Sequence, residues 1–252
     1  MSATFDPASI TAFLLIMTRL FAALTVAPPF GGSMLNLRVR VALAASVALL
    51  VTPLHTEAVP VGVADLTIAI VYQVVVGTLF GFLVQLLLTA PMVAGLMVDA
   101  LAGLSAASLF DPLANTSATA GARLNQMLTA VVLIGLEGHL LIVRGVLRSY
   151  QAAPLGGLAV ESVPAVLQDG VGQLMLAAVE IALPLIVALL LTELVLGLAA
   201  RAAPRLNVMV VGFALKSLVF ITGFALMVPL LINAIAALLD RSVRWALLLT
   251  GS

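Results

Sequence analysis

Cysteine is absent from the 252 residues. Disulfides, thiolate metal sites and cysteine nucleophiles are therefore excluded. Charge is scarce: 9% of residues are charged, 11 basic against 11 acidic. A balanced chain of this kind has no polybasic tail for nucleic acid or an anionic surface. Histidine is limited to His55 and His139. Glu137 lies two residues from His139, which puts the two on different helix faces and argues for a packed polar contact over a metal or proton site. No H-E-x-x-H, P-loop or G-x-S-x-G stretch occurs, so the chain offers no enzyme motif. Neither catalysis nor a cofactor is expected.

What the chain has is apolar surface. Hydrophobic residues make up 63% of it, outside the range of soluble globular domains. The apolar runs are Ala, Leu and Val with Gly and Pro inside them, which suits transmembrane helices and not the short alternating strands of a barrel. The expected fold is an all-α membrane protein of long kinked helices and helical hairpins. Asp6 before the first run and Arg19 within it argue for a retained first helix instead of a cleaved signal.

Apolar segments are expected at about Ile10–Ala27, stopping at Pro28-Pro29, and at Val39–Pro53. Leu66–Phe110 is too long for one span, so it is two helices or one helix broken near Pro91. Gly77 and Gly81 form a small-xxx-small step for close helix approach. Phe110–Arg123, FDPLANTSATAGAR, is the clearest polar loop. A further segment, Leu124–Val146, carries Glu137 and His139. A turn-rich linker follows from Tyr150. Val166–Ala200 and Val208–Leu239 then form a hairpin around Pro204, with kinks expected at Pro184 and Pro229.

Basic pairs at Arg144/Arg148, Arg201/Arg205 and Arg241/Arg244 follow three consecutive apolar segments. If every segment crossed, these pairs would alternate sides, against the positive-inside rule. Either the rule has exceptions here or some segments do not cross. A buried polar set is expected at Arg19, Gln85, Asp99, Glu137, Glu180, Glu193 and Lys216. Such residues either pair with one another or line a conduit.

Glu193 and Lys216 each lie about 11 residues from the hairpin tip, so an antiparallel pair of helices puts them at similar depth. They are expected to form an ion pair, or to meet a partner subunit. Glu193, Gly197 and Arg201 are spaced by four and share one helix face. That narrow polar face suits a protein interface better than lipid.

These residues carry a resemblance. TELVLGLAARAAPRLNVMVVGFALKS, with Gly197, Arg201, Pro204, Asn207, Gly212, Phe213 and Lys216, resembles the C-terminal signature of the FliR family. This is the family of flagellar biosynthesis proteins with counterparts in injectisomes. APPFGGSMLNLRVRVALA, SLFDPLANTSA and LEGHLLIVRGVLRSYQAAPLGG resemble further family blocks in the same order. Two departures stand out. Ala214 replaces a usual Pro, and the first turn lacks the Pro before its Arg pair.

The resemblance implies a single unit over residues 1–252, with a FliP-like part over about 1–150 and a FliQ-like hairpin part over about 151–252. It implies a subunit that joins FliP-like, FliQ-like and FlhB-like partners in the bacterial inner membrane, at the flagellar basal body. That complex is an export gate for unfolded flagellar subunits. The central loop, with Phe110, Asp111, Pro112, Asn115, Thr116 and Ser117, resembles the segment that plugs the closed pore. Glu193, Lys216, Arg201 and Asn207 fall at an ion pair or assembly interface, and Asp99, Glu137 and Gln85 at other buried polar positions. Lipid is a partner, and nucleic acid is not. An injectisome homologue is the alternative reading. A self-sufficient proton-coupled transporter using Asp99, Glu137 or Glu193 is a reading of another class, and the chain lacks the paired halves usual for it. An intramembrane enzyme would lack its nucleophile.

Overall fold

The computed structural model describes residues 7–31, 35–54, 62–104, 119–152, 163–203 and 207–248. Among these, the chain is helical and forms no strand. The helices are α1 (Pro7–Val26), α2 (Leu37–Val51, followed by a 3-10 turn Thr52–Leu54), α3 (Val63–Leu88), α4 (Ala90–Ala102), α5 (Ala120–Gly135), α6 (Gly138–Ala152), α7 (Val163–Ala202) and α8 (Val208–Leu248). Stretches long and apolar enough to cross a bilayer are Ala8–Val26, Val63–Ala102, Val163–Ala202 and Val210–Leu247. This is an all-α membrane protein.

Several boundaries differ from the sequence reading. The long run after residue 62 is, in keeping with that reading, two helices broken at Thr89, with Pro91 in the first turn of α4, where its missing N–H costs no helix bond. The polar loop ends earlier than Arg123: α5 starts at Ala120, and the Thr119 carbonyl accepts the Arg123 N–H. The segment Leu124–Val146 is not one helix. α5 and α6 meet at a bend of 72°. Glu137 makes that turn with φ 55°, a left-handed conformation costly for a residue with a Cβ. α8 continues to Leu248, beyond the expected Leu239. Pro184 and Pro229 lie inside helices that run on through them.

The chain packs as two compact units drawn from interleaved stretches. The division at about residue 150 is thus one of resemblance, and both units draw on each side of it. The first unit, residues 1–88, 133–171 and 239–252, is built on α1 against α3. Between membrane helices there is no hydrophobic gain in associating, so close van der Waals approach has to hold them. Gly77 and Gly81 supply it. A Cβ at Gly77 would overlap the Arg19 carbonyl and lie 2.9 Å from the Ala22 methyl, and one at Gly81 would lie 2.6 Å from the Ala23 carbonyl oxygen.

Arg19 is fully buried in this unit. Its Nε donates to Gln73 Oε1 at 2.5 Å, and its Nη1 donates to the Ser149 carbonyl at 3.0 Å and to Ser149 Oγ at 3.3 Å. Its guanidinium carbon sits 4.2 Å from the centre of the Tyr150 ring, and the Tyr150 hydroxyl donates to the Ile16 carbonyl at 2.8 Å. One side chain thereby ties α1 to α3 and α6.

The second unit, residues 89–132 and 172–238, contains α4, most of α5, and most of the α7–α8 hairpin. The contacts Leu196–Gly212, Glu193–Lys216 and Leu185–Gly223 are each centred on residues 204–205. The two helices therefore run antiparallel. α7 has 40 residues and α8 has 41. At about 1.5 Å per residue each reaches roughly 60 Å, twice the ~30 Å of a bilayer hydrocarbon core.

The glycine contact gives a direct check. Gly77→Leu should separate α1 from α3, at a cost of about 1–3 kcal/mol for forced overpacking. Thermal aggregation of the detergent-solubilised protein should shift several degrees lower. An unchanged melting profile would contradict the backbone contact.

Candidate functional site

The polar residues of the second unit gather at two places. The first is the base of the connection between α4 and α5. Asp99 is fully buried. Its Oδ2 accepts the Ala122 N–H at 3.0 Å, one of the first-turn amides that have no acceptor within their own helix. Gly95 and Gly121 make the approach possible: a Cβ at Gly95 would lie 2.6 Å from the Ala122 Cα, and one at Gly121 would strike the Asp99 carboxylate. Asn125 is also buried, and its Nδ2 donates to the Pro91 carbonyl at 2.8 Å. Thr129 Oγ1 turns back to the Asn125 carbonyl at 2.7 Å. Gly121, Asn125 and Thr129 are spaced by four and form one small, polar face of α5. Beside that face lies an otherwise apolar recess, where Gly95, Gly121 and Asn125 meet Leu185, Phe220 and Phe224. The last two rings stack at 6.0 Å.

The second place is the hairpin. Lys216 Nζ lies 3.2 Å from Glu193 Oε1. Lys216 is mostly covered, at 19% side-chain exposure, while Glu193 is 58% exposed on the chain alone. Arg201 and Asn207 are exposed toward the tip. Among the described residues Arg201 makes no ion pair, and the Asn207 carbonyl accepts the N–H groups of Val210 and Val211. The structure brings Glu193 and Lys216 together and leaves Arg201 and Asn207 apart from them.

Gln85, Glu137 and Glu180, expected to be buried, are exposed on the chain. Gln85 and Glu180 lie on outward faces of α3 and α7, and Glu137 projects from the turn between α5 and α6. Their burial, if any, has to come from lipid or another subunit. Phe110, Asp111, Pro112, Asn115, Thr116 and Ser117 lie outside the described residues. Sequence reasoning missed Gln73, Ser149 and Tyr150, which receive Arg19, and it missed Asn125. For Asn125 the spacing Gly121, Asn125, Thr129 was a usable signal. For Gln73 the signal was the demand of Arg19 for an acceptor at its own depth. Among the described residues, no group of His, Asp or Glu side chains could hold a metal ion.

The family described as bacterial export proteins, family 1, matches residues 10–242. The flagellar biosynthetic protein FliR of Escherichia coli (strain K12) is 30% identical over 217 residues, which cover 85% of this chain and 83% of that protein. FliR of Pectobacterium carotovorum is 28% identical over 88% of this chain and 86% of its own length. The Yop proteins translocation protein T of Yersinia pestis is 29% identical over 81% of each chain.

The Glu193–Lys216 contact predicts a charge-order test. Removing Glu193 leaves the mostly covered Lys216 ammonium without its counter-charge, which is typically more costly than losing both partners. Lys216→Ala and Glu193→Ala should each lower the yield of assembled protein several-fold, and the double exchange Glu193→Lys/Lys216→Glu should recover part of it. A swap no better than the single substitutions would rule out the pair as a contributor.

Proposed function

The chain belongs to family 1 of the bacterial export proteins, and on that premise we propose that it is a non-enzymatic subunit of a flagellar type III export gate in the inner membrane. In this role it joins FliP-like, FliQ-like and FlhB-like subunits around a path for unfolded flagellar proteins. The observation that carries the assembly role is the α7–α8 hairpin. Its helices are about twice as long as a hydrocarbon core is thick. Large apolar side chains are exposed along them, among them Leu183, Leu190, Leu198, Phe213, Leu226 and Leu230. Lipid can cover only part of that length, and apolar surface beyond the bilayer needs protein neighbours. A hairpin that does not cross also accounts for basic pairs after three consecutive segments.

In the same proposal, the connection between α4 and α5 carries the pore plug, with Phe110, Asp111, Pro112, Asn115, Thr116 and Ser117. A pore wide enough for a polypeptide has to stay closed to ions between substrates, and connections between packed helices are where such functional segments concentrate. The transporter reading is less well supported. Of its carriers, Asp99 is engaged with Ala122 and Glu193 with Lys216. The Yersinia relative keeps an injectisome role as a second reading. Loss of swimming without loss of effector secretion in a deletion strain separates the two.

Two outcomes are expected. Expressed alone, the chain should be degraded or aggregate, and co-expression with FliP-like and FliQ-like subunits should rescue it as a co-purifying complex. A stable, monodisperse protein made alone would count against the gate. Removing residues 113–118 should leave complex yield intact and make cells leaky to small ions. Normal yield without leak would sink the plug, and lost complex would make the segment structural.

A further inference from the structure

We propose that Asp99 is a positioning residue, whose carboxylate holds the amino end of α5 against the carboxyl end of α4 and so fixes the separation of the two ends of the connection between them. Asp99 lies in a 13-residue apolar helix and is fully buried. A carboxylate in that setting is costly unless it is hydrogen-bonded. Oδ2 has one bond, to the Ala122 N–H at 3.0 Å. That amide stands at the positive end of the α5 dipole, where a carboxylate is favoured. Oδ1 has no hydrogen-bond partner among the described residues. The side chain therefore depends on one contact, and any withdrawal of α5 leaves both oxygens buried without a donor.

The backbone of the same residue ends α4. The Asp99 carbonyl accepts the Gly103 N–H, and the Leu104 N–H at 3.0 Å, with Gly103 in a left-handed conformation at φ 79°. One residue thus terminates the first helix through its carbonyl and anchors the second through its side chain. Gly121 leaves the space for it, since any Cβ there would strike the carboxylate. The recess and the hairpin ion pair have no such link to both helix ends.

The test uses the complex assembled in membranes. The chain has no cysteine, and Thr119 Oγ1 makes no hydrogen bond among the described residues. Thr119→Cys therefore places one thiol in this subunit, at the residue before α5, without removing a bond. The rate of its modification by a soluble maleimide reports how often the amino end of α5 opens. Adding Asp99→Leu should raise that rate roughly tenfold, the factor that about 1.4 kcal/mol represents. Adding Asp99→Asn, which keeps a weaker neutral acceptor, should raise it about threefold. An assembled Asp99→Leu complex that labels at the parent rate overturns the proposal. If Asp99→Leu does not assemble, Asp99→Asn decides: labelling at the parent rate overturns the proposal, and an intermediate rate supports it. A purely structural residue would lower complex yield without speeding labelling in the assembled fraction. The further expectation, that Asp99→Leu also leaks ions, rests on the plug reading. If removal of residues 113–118 gives no leak, the plug fails and the labelling result still stands. If that removal leaks while Asp99→Leu neither leaks nor labels faster, the positioning role fails and the plug stands.

Discussion

A guanidinium carried into an apolar interior needs acceptors that arrive from elsewhere in the chain. Arg19 finds them on Gln73 and Ser149, with the Tyr150 ring over its charged face. Hydrogen bonds to a charged group are worth about 1.5–3 kcal/mol, and a desolvated cation–π contact about 2 kcal/mol or more. Those contacts exist only when α1, α3 and α6 are in one register. The glycine contact at Gly77 falls on the carbonyl of Arg19 itself, so steric fit and polar satisfaction fix the same position. Apolar packing alone would tolerate sliding, because one Leu-rich face resembles another. The buried arginine does not tolerate it.

The second unit follows the same logic with the opposite charge. Asp99 and Asn125 are buried polar side chains that each reach across to backbone of the facing helix, at Ala122 and Pro91. Glu193 and Lys216 instead satisfy one another across the hairpin. The difference matters for interpretation. Side-chain-to-backbone bonds specify where a helix begins or how two helices meet, whereas a side-chain ion pair on a partly exposed face remains available to neighbouring subunits.

Much of this is legible in the sequence. Helical class followed from composition, and Gly77 and Gly81 from their spacing in an apolar run. The depth of Glu193 and Lys216 followed from counting residues to a proline-marked tip, because an antiparallel hairpin converts sequence distance into depth. Other features were not legible. Glu137 turns the chain by adopting a left-handed conformation that its residue type does not advertise, so one apolar stretch read as one helix. Gln85 read as buried because a polar residue in an apolar run suggests an interior face, yet α3 carries polar and apolar residues on both faces. Asp99 reads as a buried charge, but its acceptor role needs the amino end of a helix that begins only at Ala120, which no local pattern reveals.

The register of the hairpin limits how such a chain can change in length. At Leu185 and Gly223 the two helices approach so closely that a Cβ on Gly223 would lie 2.5 Å from a Leu185 δ-methyl, which would have to turn aside. Sliding by one residue would bring Thr222 or Phe224 to that point and would part Lys216 from Glu193. An inserted or deleted residue between Leu185 and Leu196, or between Gly212 and Gly223, rotates the contacts on one side of it against those on the other by about 100°. Added residues in the connection between α7 and α8 rotate none of these contacts against another. From Leu185 to Gly223, a change in length is therefore least disruptive in that connection.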